Sequence, residues 1–364
     1  MPDADNLVSG AGGDPDRPSR PLQRPTMHDV AALARVSLKT VSRVVNQEAG
    51  VSPELVRRVN QAAAQLDYRP NLAARSLRQA GGRTASIGLL LENVSNPFSS
   101  SIHRAIEDAA RARGVAVLAS SLDEDPVREQ ELVRNFVSRR VDGLAIVPAA
   151  PDHSYLVSER RAGLALVFVD RPPGYLDADT VLAANRQGAR DGVRHLVAQG
   201  HRRIAFLGDM RSISTARDRS AGYRDALEEA SIPYDERLVR SDLHSIEAAM
   251  DAVQELLARP SDAAPTALFG SQNLVTVGAL RALRGLGLQQ QVALVGFDDL
   301  MLGDLLQPGL TAVAQDPTAM GTAAAELLFR RMDGDGGATQ LVVIPTRLIE
   351  RGSGEIAPRH AGGR

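Results

Sequence analysis

The chain has 364 residues, is 43% hydrophobic and contains no cysteine. That gives room for two or three domains with a full-sized core, and it excludes disulfides, thiolate metal sites and cysteine nucleophiles. The formal net charge of −2 is unevenly spread: from Arg24 to Arg83 ten basic residues stand against four acids, while the residues beyond carry −6, so a small basic module precedes a larger acidic one that should not bind polyanions.

Residues 1–24 are acidic and Gly/Pro-rich and lack the apolar stretch of a signal peptide, so they read as a disordered leader. No apolar run approaches the roughly 18 residues that a membrane span needs, which makes the cytoplasm the default location and leaves no membrane partner. A single lysine, Lys39, leaves Schiff-base or Walker-type phosphate chemistry to that residue alone.

A helix-turn-helix headpiece is expected over 25–70. Thr26 with Asp29 three residues on forms a capping pair, and Val30, Leu33 and Ala34 share one face of the first helix. After "RVS", Ser37 caps a second helix whose Val41, Val44 and Val45 point inward and whose Lys39, Ser42, Arg43 and Asn46 point outward. Ser52 and Pro53 open a third helix. In such a unit the second helix enters the major groove of DNA, Lys39 and Arg43 reaching base edges or phosphates and Ser42 and Asn46 positioning on the backbone.

"YRPNLAARSLR", Tyr68 to Arg78, has helix periodicity after a prolyl break. It is shorter than the roughly 12 to 15 residues an isolated helix needs in water. Something outside the segment should fold it.

From Thr84 the texture becomes short apolar runs separated by helical stretches: "SIGLLLE", "VAVLASS", "GLAIVPA", "LALVFVD", "RIAFLGD", "TALFGSQ", "VALVGFDD", "LTAVAQD" and "LVVIPT". This is the form of βαβ units and parallel sheets, too long a series for one sheet and therefore expected as two lobes. Ligands of such sheets bind beyond the carboxyl ends of strands. There the sequence places Asn93 and Asn96, Asp170 and Arg171, Gln272 and Asn273, Asp298 and Asp299. One such residue reads as a turn former; several at equivalent places favour a polar small-molecule cleft.

No nucleophile elbow, P-loop or dinucleotide fingerprint is present, and no histidine pair has metal-ligand spacing. The histidines read as surface or capping groups. Neither an enzyme nor a metal or cofactor is expected.

The stretch from Thr26 to Arg78, with "VSLKTVSRVVN" and "YRPNLAARSLR", followed by "VGFDD", resembles the LacI/GalR family of bacterial transcription repressors over nearly the whole chain. The resemblance implies an α/β protein: a three-helix headpiece, a hinge helix over 71–80, then a two-lobed periplasmic-binding-protein-like core over 84–354. Its first lobe covers about 84–182 and 315–343, its second about 183–314 and 344–354, with 355–364 a disordered tail. It answers the question of the short helix: the hinge folds only when two subunits meet over the centre of a near-palindromic operator, where Leu77 wedges into and kinks the central step, Ala74 lies at the subunit contact and Arg78 beside the groove. Leu38 and Lys39 correspond to the family's variable base-reading pair, and Thr40, Ser42, Arg43 and Asn46 to its more constant contacts. Thr26, Ser37, Tyr68 and Asn71 complete the DNA-facing set.

For the effector, the core is similar to ribose-binding proteins and ribose repressors, which implies Asn96, Phe98, Asp170, Arg171, Arg219, Gln272, Asn273, Asp298 and Gln315 as ligand contacts. Carboxylates and bidentate arginines suit vicinal hydroxyls, and Phe98 suits a ring face. Gln272 and Asn273 stand where the family has Asn-Asp, and Ser99 stands where the sugar site has a second phenylalanine, so another pentose, a nucleoside, a purine or a polyol stays open beside ribose. A homodimer without a helical tetramerisation segment is expected. The rival from another class is a solute receptor with no DNA role, against which residues 25–78 argue.

Overall fold

The computed structural model describes residues 25–46, 48–69 and 83–358. The chain divides into two units, residues 1–82 and 83–364. Asn71, Ala74, Leu77 and Arg78, the hinge expected over 71–80 and the leader all lie outside the described residues.

The first unit holds three helices, α1 (Met27–Ala34), α2 (Leu38–Val45) and α3 (Pro53–Gln65). Thr26 and Asp29 close a reciprocal capping box, the Thr26 amide donating to the Asp29 carboxylate at 2.7 Å, an arrangement typically worth about 1 kcal/mol. Arg35 at φ 51° ends α1, and Ser37 caps α2 two residues later. Arg58 of α3 locks this turn by donating to the carbonyls of Ala34 (2.6 Å) and Arg35 (3.3 Å). Val30, Ala31, Ala34, Val41, Val44, Val59 and Ala62 form the buried core. Leu33, expected inside, is exposed: of the two arcs that contain Val30 and Ala34, the helix turns in the one holding Ala31, whose small side chain lets the helices approach closely.

The larger unit has two six-stranded sheets. The first consists of β1 (Ser86–Leu91), β2 (Ala116–Ser121), β3 (Gly143–Ile146), β4 (Ala165–Val169), β5 (Asp179–Ala183) and β11 (Leu341–Ile344), all parallel, in the order β11-β5-β4-β3-β1-β2. The second consists of β6 (Ile204–Leu207), β7 (Val239–Arg240), β8 (Ala267–Gly270), β9 (Ala293–Phe297), β10 (Thr311–Ala314) and β12 (Arg347–Ile349), in the order β12-β10-β9-β8-β6-β7, with only β12 antiparallel. The two orders are the same pattern, so the lobes repeat one topology except for the direction of the last edge strand, and the chain passes between sheets after β5, β10 and β11. The central strands are buried along their full length, because helices cover both faces of a parallel sheet.

Two features depart from the sequence reading. Residues 355–358, assigned to the tail, are fixed: Glu355 accepts from the Thr311 hydroxyl and the Gly352 amide, and the Ile356 carbonyl lies 2.8 Å from His201 Nε2. His153 and His201, assigned to the surface, are fully buried: both His201 ring nitrogens are hydrogen-bonded, and His153 has Nδ1 bonded and Nε2 beside a carboxylate. His153 Nδ1 accepts from the Gly174 amide, which makes Nε2 the donor facing Glu129 at 3.1 Å.

In the second lobe the helices Asn185–Ala198 and Ser214–Glu229 pack so closely that a Cβ on Gly222 would lie 2.1 Å from the Arg186 carbonyl oxygen. Gly222→Val is expected to lower the stability of the larger unit by about 1–3 kcal/mol. Gly285, in a helix and with open space around its missing Cβ, should gain about 0.4–1 kcal/mol on replacement by Ala. Denaturant midpoints of the two variants check both signs.

Candidate functional site

On α2, Leu38 and Lys39 are exposed in the first turn, directly after the Ser37 cap, whose oxygen accepts from the Thr40 amide at 3.1 Å. Arg43 and Asn46 follow at helical spacing on the same side. Arg43 bonds the carbonyl of Ala49 and lies 3.5 Å from Glu48, and Asn46 donates to Ser42 at 3.3 Å. These contacts preset the two side chains, while Lys39 is exposed. Thr26 is committed to its capping box, and Tyr68 packs on the headpiece core.

The carboxyl ends of the two sheets border one cleft with about 480 Å³ of empty space, mouth included. All nine residues named from the sequence for the effector line it. The two lobes touch across it, Asn273 Nδ2 donating to Asn96 Oδ1 at 2.8 Å. Asn93 and Asp299, also at strand ends, face elsewhere: Asn93 closes an Asx turn onto the Ser95 amide, and Asp299 holds Arg351.

Asp170 after β4 and Asp298 after β9 occupy equivalent places. Both are left-handed, at φ 69° and 74°, and both amides donate into the next strand, to the carbonyls of Val181 and Val313. That conformation aims each carboxylate into the cleft. Burial drives the Asp170 carboxyl up from the ordinary range, opposed by Arg171 and Arg219. Asp298 accepts from Gln315 Nε2 at 2.6 Å and the Asn273 amide at 3.2 Å.

The arginines are already partly committed within the protein. Arg171 is held bidentate by Glu124 at 2.6 and 2.7 Å and also donates to the Pro148 carbonyl; the sequence reading gave that fork to hydroxyls, but a carboxylate from the loop after β2 satisfies it first. Arg219 donates through Nε to Asn185 and through Nη1 to the Ser271 carbonyl, with its guanidinium carbon 3.8 Å above the Phe297 ring. Gln272 spends its side-chain oxygen on the Leu274 and Val275 amides as a helix cap. Three buried atoms of the lining make no hydrogen bond to protein: Asp170 Oδ1, Arg171 Nε and Gln315 Oε1. Phe98 both lines the cleft and packs against the core of the first lobe.

The sequence reading missed Glu92, Glu124, Val147, Asp209, Thr215 and His244 in the lining. Glu92 was legible as the residue that ends "SIGLLLE" one place beyond β1. Glu124 and His244 sit in loops without periodicity, and only the fold brings them in. Burial, reinforced by Glu124, raises the Glu92 carboxyl.

His244 Nδ1 lies 2.7 Å from Asp209, and this bond raises the imidazole above its ordinary 6.5. A raised folded value means the pair's contribution is complete below pH 6.5 and is lost as pH climbs through that value. The melting temperature of the wild type relative to His244→Gln should therefore fall as pH rises above 6.5; a difference that is flat, or that grows with pH, would contradict the assignment.

Comparison with known proteins agrees with both units. A family model described as bacterial regulatory proteins, lacI family, matches residues 26–71, and one described as a periplasmic binding protein-like domain matches residues 193–354. The HTH-type transcriptional regulator DegA of Bacillus subtilis is 31% identical over 335 residues, covering 90% of this chain and 97% of that protein. The ribose operon repressor of Halalkalibacterium halodurans is 32% identical over 333 residues, covering 90% and 96%. Among solved structures, the lac repressor dimer bound to operator and the anti-inducer ONPF superposes with a TM-score of 0.80 at 28% identity, covering 92% of this chain and all of that one. No described helix is long and apolar enough to cross a membrane. With a headpiece, two parallel-sheet lobes and relatives aligned over their whole length, the chain belongs to the LacI family of DNA-binding transcriptional regulators, a non-enzymatic family, and carries a sugar-type effector domain.

Proposed function

We propose that this regulator is a homodimeric repressor of carbohydrate-uptake or catabolic genes, released from a near-palindromic operator when a small sugar, ribose or another pentose, binds between the two lobes. The observation that carries the effector reading is the set of buried atoms in the cleft that make no hydrogen bond, two acceptors (Asp170 Oδ1, Gln315 Oε1) and one donor (Arg171 Nε, 3.5 Å from Asp170 Oδ2). A sugar hydroxyl both donates and accepts, so adjacent hydroxyls satisfy such a mixed set, and Phe98 offers an apolar face to the ring. The ribose operon repressor among the relatives supports a pentose, and the operator-bound lac repressor dimer supports DNA binding as a dimer.

In this reading Leu38, Lys39, Thr40, Ser42, Arg43 and Asn46 meet the major groove, and Leu77 wedges into the kinked central step. Closing the lobes on the ligand withdraws that wedge. Because the coupling is reciprocal, operator binding weakens the sugar by the same factor. A second reading, a nucleoside, is favoured by Ser99 in the lining and by an adjoining cavity bounded by Pro97, Phe98, Leu300, Met301 and Pro317 that could take a base.

Fluorescence anisotropy on a palindromic duplex with a central CG step, at fixed salt, tests both halves. Tight binding that D-ribose weakens is the expected result, with Arg219→Ala losing the ribose response and keeping the DNA. Lys39→Ala should weaken DNA binding and lower the salt slope by about 1 if Lys39 contacts phosphate, or relax base preference with the slope unchanged if it reads a base edge. Binding indifferent to ribose but released by adenosine would replace the pentose with a nucleoside. Failure to bind any duplex from a selected library would overturn the repressor reading.

A further inference from the structure

Five carboxylates, Glu92, Glu124, Asp170, Asp209 and Asp298, line the cleft. Opposite them stand two arginines and one histidine, Arg171, Arg219 and His244. Burial raises Glu92 and Asp170, yet even with both protonated and His244 charged the lining carries no net positive charge. The form of the cations matters as much as their number. An anionic ligand group such as phosphate or carboxylate is gripped by a free guanidinium fork, a lysine or a helix N-terminus.

Both arginines are largely committed to protein acceptors, Arg171 to a carboxylate. Both terminal nitrogens of Arg171 are taken by Glu124, at 2.6 and 2.7 Å, which consumes the fork and leaves Nε, 3.5 Å from Asp170 Oδ2, and one Nη2 N–H without a hydrogen bond. Arg219 commits Nε and Nη1 to Asn185 and the Ser271 carbonyl and keeps Nη2 as its remaining donor. The sole lysine, Lys39, belongs to the headpiece unit. Of the helix N-termini at the cleft, Asn96 caps one and Gln272 another through their own side-chain oxygens, which occupy amides an anion would use; the helix Ser214–Glu229, which brings Thr215 to the lining, has no side-chain cap.

We propose that Glu124 is a specificity-determining residue: by consuming the Arg171 fork, and with Glu92 behind it, it makes this cleft a site for uncharged polyhydroxy ligands and excludes their phosphorylated forms. The regulator therefore answers to the free sugar or nucleoside that enters the cell, ahead of the kinase-type reaction that would phosphorylate it. This rests on the reading of the cleft as the effector site, and it holds for a pentose or a nucleoside alike.

The test is isothermal titration calorimetry of the full-length protein with two matched pairs, D-ribose against D-ribose 5-phosphate and adenosine against adenosine 5′-monophosphate, at constant ionic strength. For the pair that binds, the neutral member should be at least about tenfold tighter. Glu124→Gln, which keeps the side-chain shape and frees the charge of Arg171, should narrow that gap about tenfold by strengthening the phosphate. Glu92→Gln removes a carboxylate without touching Arg171, and should narrow the gap in the same direction by a smaller factor. It also keeps the proposal open to failure if the Glu124 variant misfolds. A phosphorylated member that binds the wild type as tightly as its neutral partner, or a gap unchanged in both variants, overturns the proposal while leaving the cleft as the effector site. Silence of all four ligands with the wild type removes the pentose and nucleoside readings and the proposal with them.

Discussion

Strands paired on both sides leave no polar backbone group free along their length, so what the interior of the two sheets can offer a ligand is concentrated where the strands stop. At β4 and β9 the stop is an aspartate in the left-handed region, Asp170 and Asp298, whose amide still serves the next strand while the carboxylate turns out of the sheet. Such a conformation costs a non-glycine residue something of order 1 kcal/mol or more and persists where the surroundings over-determine it. Here the neighbouring strand accepts the amide in both lobes. The rest of the cleft is arranged around those two carboxylates: Gln315 and the Asn273 amide on Asp298, Arg171 beside Asp170, Glu124 behind Arg171.

The repeated topology explains why the lobes face one another with similar equipment, and the three crossings between them explain how they can move as bodies. Contact across the cleft is polar, as in the Asn273–Asn96 bond. A neutral hydrogen bond of this kind contributes about 0.5–1.5 kcal/mol net, too little to hold the lobes together against water. That suits a two-state element, whose equilibrium a ligand shifts only by its differential affinity for the two arrangements.

Much of this was legible in the sequence, and the misses have a common cause. Nine of the twelve strands were visible as apolar runs. The other three are β5, which opens with Asp179 and Thr180, β7, which is two residues long, and β12, an edge strand of three. Each is short or polar where burial is decided by neighbours in space. The helix caps at Thr26, Ser37 and Ser52 were visible because capping is a local interaction. Leu33 went to the wrong side because an eight-residue helix contains two plausible apolar arcs. Glu129 shares helical spacing with buried Val133 and Phe136 and is itself buried, held ionised against burial by His153, Tyr155 and two backbone amides. Its periodicity pointed inward; its residue type pointed outward. In the cleft, most residues named from the sequence follow a strand directly, whereas Glu124 and His244 lie three and four residues beyond β2 and β7, in loops with no apolar pattern to mark them.

That last difference decides the chemistry. From the sequence, Arg171 beside Asp170 reads as a ligand-binding fork, and a cleft with free forks would suit a phosphate as well as a hydroxyl. Glu124, 47 residues earlier, changes its meaning by taking both terminal nitrogens. A buried ion pair of this geometry adds little net stability, because desolvating both partners offsets most of their attraction. What it does is fix a direction: the guanidinium plane is held, Nε makes no hydrogen bond although it lies 3.5 Å from Asp170 Oδ2, and the adjoining carboxylate of Asp170 keeps Oδ1 without a hydrogen bond. Leaving a buried donor or acceptor unmade costs about 1–3 kcal/mol. A ligand that supplies both partners at once recovers that cost, and adjacent hydroxyl groups on one ring do so without introducing a charge that the carboxylates around them would oppose.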